Sequence, residues 1–142
     1  MVRVFLDANV YFSATRSSSG GSSAVCELIK KKKVALYATK QVLREAERNV
    51  RKKESLSVRL RFYELLSDLN PRIVPIDKRS AELRYLKIID KKDTHVLEGA
   101  RKTKVNYLVT LDKKHFFTKK VKEARFPFAV ASPGELLRIL SN

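Results

Sequence analysis

The sequence predicts an α/β fold in which helices cover both faces of a parallel sheet. Short apolar runs rich in β-branched and aromatic residues alternate with amphipathic stretches of helical period along the whole chain. Two acidic residues, Asp7 and Asp112, directly follow such runs, which places both at strand C-termini. That edge of an open parallel sheet is where ligands bind. At 142 residues and 44% hydrophobic content, the chain suits one domain, 1–142, with a core of its own.

The elements follow in order. VRVFLDA reads as a buried strand. SATRSSSGGSS reads as a loop beside the site, ending in a helix N-cap at Ser22 or Ser23. AVCELIKKKK is helical, and lysines in its last turn suit the helix dipole. VALYAT is the second strand. TKQVLREAERNVRK is an amphipathic helix with Thr39 as its cap and Val42, Leu43 and Ala46 on one side. ESLSVRLRFYELLSDL is a helix on which Leu56, Leu60, Tyr63, Leu66 and Leu69 recur at helical spacing, and Asn70-Pro71 ends it. That stripe serves either core packing or a homodimer contact.

RIVPI is a short strand, and Pro75 assigns it to a sheet edge because proline donates no ladder hydrogen bond. KRSAELRYLKII is a helix, DKKD a polar turn, and DTHVLEGARKT a helix with Val96, Leu97 and Ala100 facing in. VNYLVT is a central strand, HFFTKKVKEAR a short helix or loop, and FPFAVA the last strand. SPGELLRIL opens with the capping box Ser132-Pro-Gly-Glu135.

The chain carries 31 Lys+Arg against 15 Asp+Glu, a formal charge of +16. Such a balance favours a polyanion: RNA, DNA or an anionic surface. No apolar run is long enough to span a membrane, and the N-terminus has no signal-peptide layout. The lone cysteine, Cys26, lies among apolar helical positions and reads as core. A chain without a disulfide framework fits a cytoplasmic location.

Against this basic background, Asp7, Glu45, Asp93 and Asp112 sit where a parallel α/β chain brings carboxylates together. Two carboxylates about 4 Å apart repel by roughly 4 kcal/mol at an effective dielectric near 20. The usual remedy is a hard divalent cation with oxygen ligands, Mg²⁺ or Mn²⁺. Asn9 is placed to hydrogen-bond Asp7 or to form an Asx turn. Glu47 competes with Glu45 for the second position. Asp90 and Asp93 are three apart, so one can cap the following helix while the other faces a cation; the metal role goes to Asp93 and the supporting role to Asp90. Thr110 and Asp112, two apart at a strand end, face the same side. His95 reads as helix surface or pocket wall, and neither His95 nor His115 has zinc-ligand spacing with Cys26.

Several classes are excluded. Asp7-x-Asn9 lacks the second aspartate of a haloacid-dehalogenase-type phosphatase, and a receiver-like domain would need a paired acidic cluster near the first strand. No GxGxxG or GxxxxGK[ST] motif is present, which removes a dinucleotide or P-loop site.

The motifs FLDANV, Thr39 with Glu45, DKKDTHVLEGA and LVTLDKKHF, in this order, resemble the PIN domain, a family of metal-dependent ribonucleases, and the resemblance covers the chain from Val2 to Leu140. The resemblance implies a three-layer α/β/α sandwich with a parallel sheet of about five strands. It implies that Asp7, Glu45, Asp93 and Asp112 are the catalytic acidic quartet, with Asp7, Asp93 and Asp112 as metal ligands and Asn9, Asp90 and Thr110 in support. The expected cofactor is Mg²⁺ or Mn²⁺, and the expected reaction is hydrolysis of RNA phosphodiesters by an endoribonuclease. The chain looks most like small stand-alone members, including VapC-type toxins, which implies an acidic antitoxin as partner in a toxin–antitoxin pair. Lys91, Lys92, Lys113 and Lys114 flank the acidic motifs and would bind the nucleic acid, each phosphate contact adding about −0.7 to the salt slope on single strands. Lys30 to Lys33 read as a solvated helix end. The alternative is a non-catalytic or RNA-processing nucleic-acid-binding module on the same fold.

Overall fold

A computed structural model describes residues Met1–Asn142. Five strands form one sheet in the order β3-β2-β1-β4-β5, and every pairing is parallel. They are β1 (Val2–Leu6), β2 (Val34–Ala38), β3 (Arg72–Ile73), β4 (Tyr107–Val109) and β5 (Ala129–Ala131). Nine helices complete a three-layer α/β/α sandwich: α1 (Ala8–Arg16), α2 (Gly21–Lys30), α3 (Lys40–Lys53), α4 (Leu56–Leu69), α5 (Lys78–Tyr85), α6 (Thr94–Lys102), α7 (Lys113–Phe116), α8 (Lys119–Glu123) and α9 (Pro133–Ser141). Central β1 is buried along Val4, Phe5 and Leu6, as a strand covered on both faces must be. The proline-containing segment lies at the edge, as β3, and keeps only two paired residues. No helix is long and apolar enough to cross a membrane.

The local signals at helix ends act as expected in α3 and α9. The Thr39 hydroxyl accepts from the Val42 N–H at 3.3 Å. Ser132 and Glu135 form the reciprocal capping box. Asn70 takes the left-handed conformation that ends α4, with φ 42°.

Three expectations are corrected. The segment expected as a loop from Ser13 onward continues a helix, α1, that begins directly after Asp7, and the next helix is capped at Gly20 rather than Ser22 or Ser23. Ser22 is buried and Ser23 hydrogen-bonds back to Ser17 and Ala14, so both serines secure the α1–α2 connection. On α4 the C-terminal part of the expected stripe is in the core, with Leu69 buried and Leu66 packed against it, but its other buried side chains are Phe62 and Leu65, and Leu56, Leu60 and Tyr63 are 69%, 55% and 40% exposed. The helix is turned by about one residue from the expected stripe, which leaves the proposed homodimer face uncovered. Finally, α5 stops at Tyr85, because the chain must turn through Leu86–Ile88 to bury Ile89.

Gly99, in the middle of α6, allows this helix to approach the sheet. A Cβ there would lie 2.6 Å from Phe5 Cζ and 3.2 Å from Thr39 Cγ2. Phe5 is fully buried and has no room to withdraw. Gly99→Ala gains about 1 kcal/mol of helix propensity, but overpacking costs roughly 1–3 kcal/mol. A lower urea midpoint with an unchanged slope is the expected result.

Candidate active site

The loops after β1 and β4 meet at one edge of the sheet, where Asp7 both ends β1 and caps α1. Its Oδ1 accepts from the Ala8 N–H at 2.7 Å, and its Oδ2 accepts from the Thr110 hydroxyl at 2.8 Å. Asn9 Nδ2 donates to both Asp7 Oδ2 and Thr110 Oγ1 at 3.3 Å, while Asn9 Oδ1 accepts from the Leu111 N–H at 3.0 Å. Thr110 Oγ1 also accepts from the Asp112 N–H at 3.1 Å. Asn9 and Thr110 therefore stitch together the ends of two neighbouring strands and aim Asp7 and Asp112 at a common region.

The charges of Glu45 and Asp93 reach Asp7, and those of Asp112 and Glu45 reach Asp93. Burial pushes the Asp7 carboxyl up to about 6; the Thr110 and Ala8 hydrogen bonds oppose the rise, and the charges of Glu45 and Asp93 add to it. Burial likewise raises Asp93, against the favourable charges of His115 and Lys92, and Asp112 and Glu45 raise it further. Asp93 precedes α6 but makes no capping hydrogen bond, and its Oδ2 is buried without a partner. The cap of this turn is Asp90, whose exposed side chain accepts from the Lys92 N–H at 3.1 Å.

Asp112 caps α7. Its Oδ1 accepts from the His115 N–H at 3.1 Å, and its Oδ2 lies 2.7 Å from His115 Nδ1. The same imidazole nitrogen is 3.9 Å from Asp93 Oδ2. One ligand atom each from Asp93, Asp112 and His115 all lie within 4.8 Å of one another. His115 is the residue that sequence reasoning missed. The spacing Asp112-x-x-His115 carried the signal: an N-cap side chain and the residue three further on meet across the first turn.

The two glutamates of α3 separate clearly. Glu45 Oε1 approaches the buried His95 Nε2 at 4.0 Å. Glu47 accepts from the Tyr63 hydroxyl at 2.6 Å and is thereby tied to α4. His95 is a buried wall residue, not helix surface. Lys91, Lys92, Lys113 and Lys114 are all exposed, in the short helical turns that Asp90 and Asp112 cap. Lys31 to Lys33 precede β2 and so lie at the opposite edge of the parallel sheet. Cys26 is buried and its thiol is pushed up to about 12, consistent with a core position.

The group fits a divalent cation. Mutually repelling carboxylates and a buried carboxylate oxygen without a partner are what a cation would satisfy. The sequence model of the PIN domain family matches residues 3–114, a span that includes Asp7, Glu45, Asp93 and Asp112. No curated protein and no solved structure matches the chain.

Proposed function

This chain belongs to the PIN-domain family, whose members are generally nucleases, and from that premise we propose that it is a metal-dependent endoribonuclease. The observation that carries the reading is the convergence of Asp7, Glu45, Asp93 and Asp112 in a chain of charge +16, with Asp93 Oδ2 buried and unpartnered.

Asp93, Asp112 and His115 would hold the cation, with Asp7 completing the acidic wall. The oxygen donors suit Mg²⁺ or Mn²⁺, and the imidazole nitrogen favours the transition-metal ion. A bound divalent cation supplies Lewis acidity, lowering the pKa of a water and offsetting charge on the phosphate oxygens. Thr110 and Asn9 hold Asp7 in one orientation through fixed donors. Glu45, only partly buried, presents Oε1 as the acceptor that orients a water or takes its proton. The exposed Lys91, Lys92, Lys113 and Lys114 bind flanking phosphates. RNA rather than DNA rests on the family likeness. A small acidic protein that covers the basic rim would neutralise the enzyme, the arrangement of a cytoplasmic toxin–antitoxin pair.

The test is cleavage of labelled single-stranded RNA and DNA by the wild type, Asp93→Asn and Asp112→Asn in Mg²⁺, Mn²⁺ or EDTA. Cleavage that needs metal and falls at least 100-fold in each variant is the expected outcome. Full cleavage in EDTA or in purified Asp93→Asn would refute the reading. Tight RNA binding without any cleavage would favour the non-catalytic module instead.

A further inference from the structure

From the end of α7 onward the chain forms a half-open cavity of about 550 Å³ whose lining comes entirely from residues 116–130. That segment lies outside residues 3–114, the span shared with the family, so nothing in the family match accounts for it. Its volume falls within the range of small-ligand pockets. The apolar lining includes Phe117, Phe126 and Phe128. Phe126 stacks on Phe128 at 4.9 Å and meets Tyr85 at 5.5 Å, so its ring is held in place before any ligand arrives. The rim carries Lys119, Lys122 and Arg125, all exposed. Lys119 makes only a 3.8 Å surface pair with Glu123, and neither Lys122 nor Arg125 has a carboxylate partner.

The location matters as much as the lining. Phe117 follows His115 by two residues, so at most about 7 Å of backbone separates the cavity wall from the acidic site. Ala129 and Val130, also in the lining, belong to β5, the edge strand beside β4. Arg125, Phe126 and Phe128 precede β5, so the cavity runs from Phe117, beside the acidic site, along the β5 edge toward the opposite end of the sheet, and a strand of nucleic acid leaving the acidic site along that edge would enter it. Aromatic walls accept the face of a base, and unpaired cations at the rim accept its phosphate.

We propose that the cavity between α7, α8 and β5 is a nucleotide subsite that binds a base and phosphate of single-stranded RNA where the strand leaves the acidic site along the edge of the sheet. The inference rests on the nuclease reading above and adds where the substrate strand runs.

The test measures anisotropy of a labelled single-stranded RNA containing 2-aminopurine, at several salt concentrations. The protein is Asp7→Asn, which binds without turnover, compared with the same protein carrying Phe117→Ala or the pair Lys122→Ala and Arg125→Gly. Arg125 has φ 51°, a conformation glycine adopts freely, so its replacement removes the cation without straining the backbone. The double variant should reduce the salt slope by about 1.4, the share of two single-strand phosphate contacts. Phe117→Ala should weaken binding roughly 5- to 100-fold and remove the fluorescence quenching that stacking produces. Unchanged slope, affinity and quenching in folded variants would overturn the subsite while leaving the nuclease reading intact. A wild type that neither binds nor cleaves RNA would overturn both.

Discussion

Asp7→Asn is expected to stabilise the metal-free protein at neutral pH while abolishing cleavage. The Asp7 carboxyl is buried, with a folded pKa of about 6 against an ordinary value of 3.8. A folded pKa above the unfolded one means that the native state binds this proton more tightly. The associated stability is fully present below about pH 4 and is lost as pH rises through about 6. Above that point the folded protein holds a buried carboxylate beside Glu45 and Asp93, at a cost of up to about 3 kcal/mol. Asparagine carries no charge, so the variant escapes this cost. In EDTA its melting temperature should exceed that of the wild type by several degrees at pH 7.5, and the two should converge near pH 4. The raised Asp93 acts in the same direction. Added Mn²⁺ should raise the wild-type melting temperature, by mass action on the folded state, and raise the variant far less. Cleavage should fall at least 100-fold. A variant less stable than the wild type across pH 4–8 would show that the Thr110 and Ala8 hydrogen bonds outweigh the burial of charge.

The trade between stability and chemistry explains why parts of this site were legible in sequence. Carboxylates at Asp7 and Asp112 stood out because they follow apolar strands, at the edge of a parallel sheet where ligands bind, although both also cap the helices that follow. Asp93 stood out less, since a first-turn aspartate has an ordinary capping use; only its unpartnered Oδ2 shows that it does no capping. His115 was hidden because the short helix that carries it, α7, has no apolar period to announce it. The choice between Glu45 and Glu47 needed a tertiary partner, the Tyr63 hydroxyl, from a different helix. The same limit acts on the fold. Each strand was readable from its own residues, but the order β3-β2-β1-β4-β5 depends on how the crossovers pack. On α4, two stripes of apolar residues share the helical period. Leu56, Leu60 and Tyr63 compete with Phe62, Leu65 and Leu69, and only the neighbouring helices decide which is buried. The α1 helix was missed because its N-cap, Asp7, was already assigned to the site and its C-terminal half is rich in Ser and Thr.

Glu98→Ala should be strongly destabilising although it lies away from the acidic site. Glu98 has only 6% of its side chain exposed, and it is satisfied by three residues. Arg84 Nη1 donates at 3.0 and 3.2 Å, Arg101 Nε at 2.9 Å, and the Tyr85 hydroxyl at 3.1 Å. The arginines remain 50% and 40% exposed. They can turn to water when the carboxylate is lost, so the full penalty for breaking a buried ion pair does not apply. What remains is the loss of charge-assisted hydrogen bonds, a cavity under α5 and a weaker α5–α6 contact. Together these amount to roughly 2–4 kcal/mol, a drop on the order of 10 °C in melting temperature. Glu98→Gln keeps one acceptor and most of the volume, and should cost about half as much. Because Asp93 directly precedes α6, loosening the contact of that helix with α5 should also weaken metal binding without removing any ligand. Thermal unfolding and Mn²⁺ titration of both variants separate these effects: a Glu98→Ala protein with wild-type stability would mean that Arg84 and Arg101 never held the carboxylate against solvent.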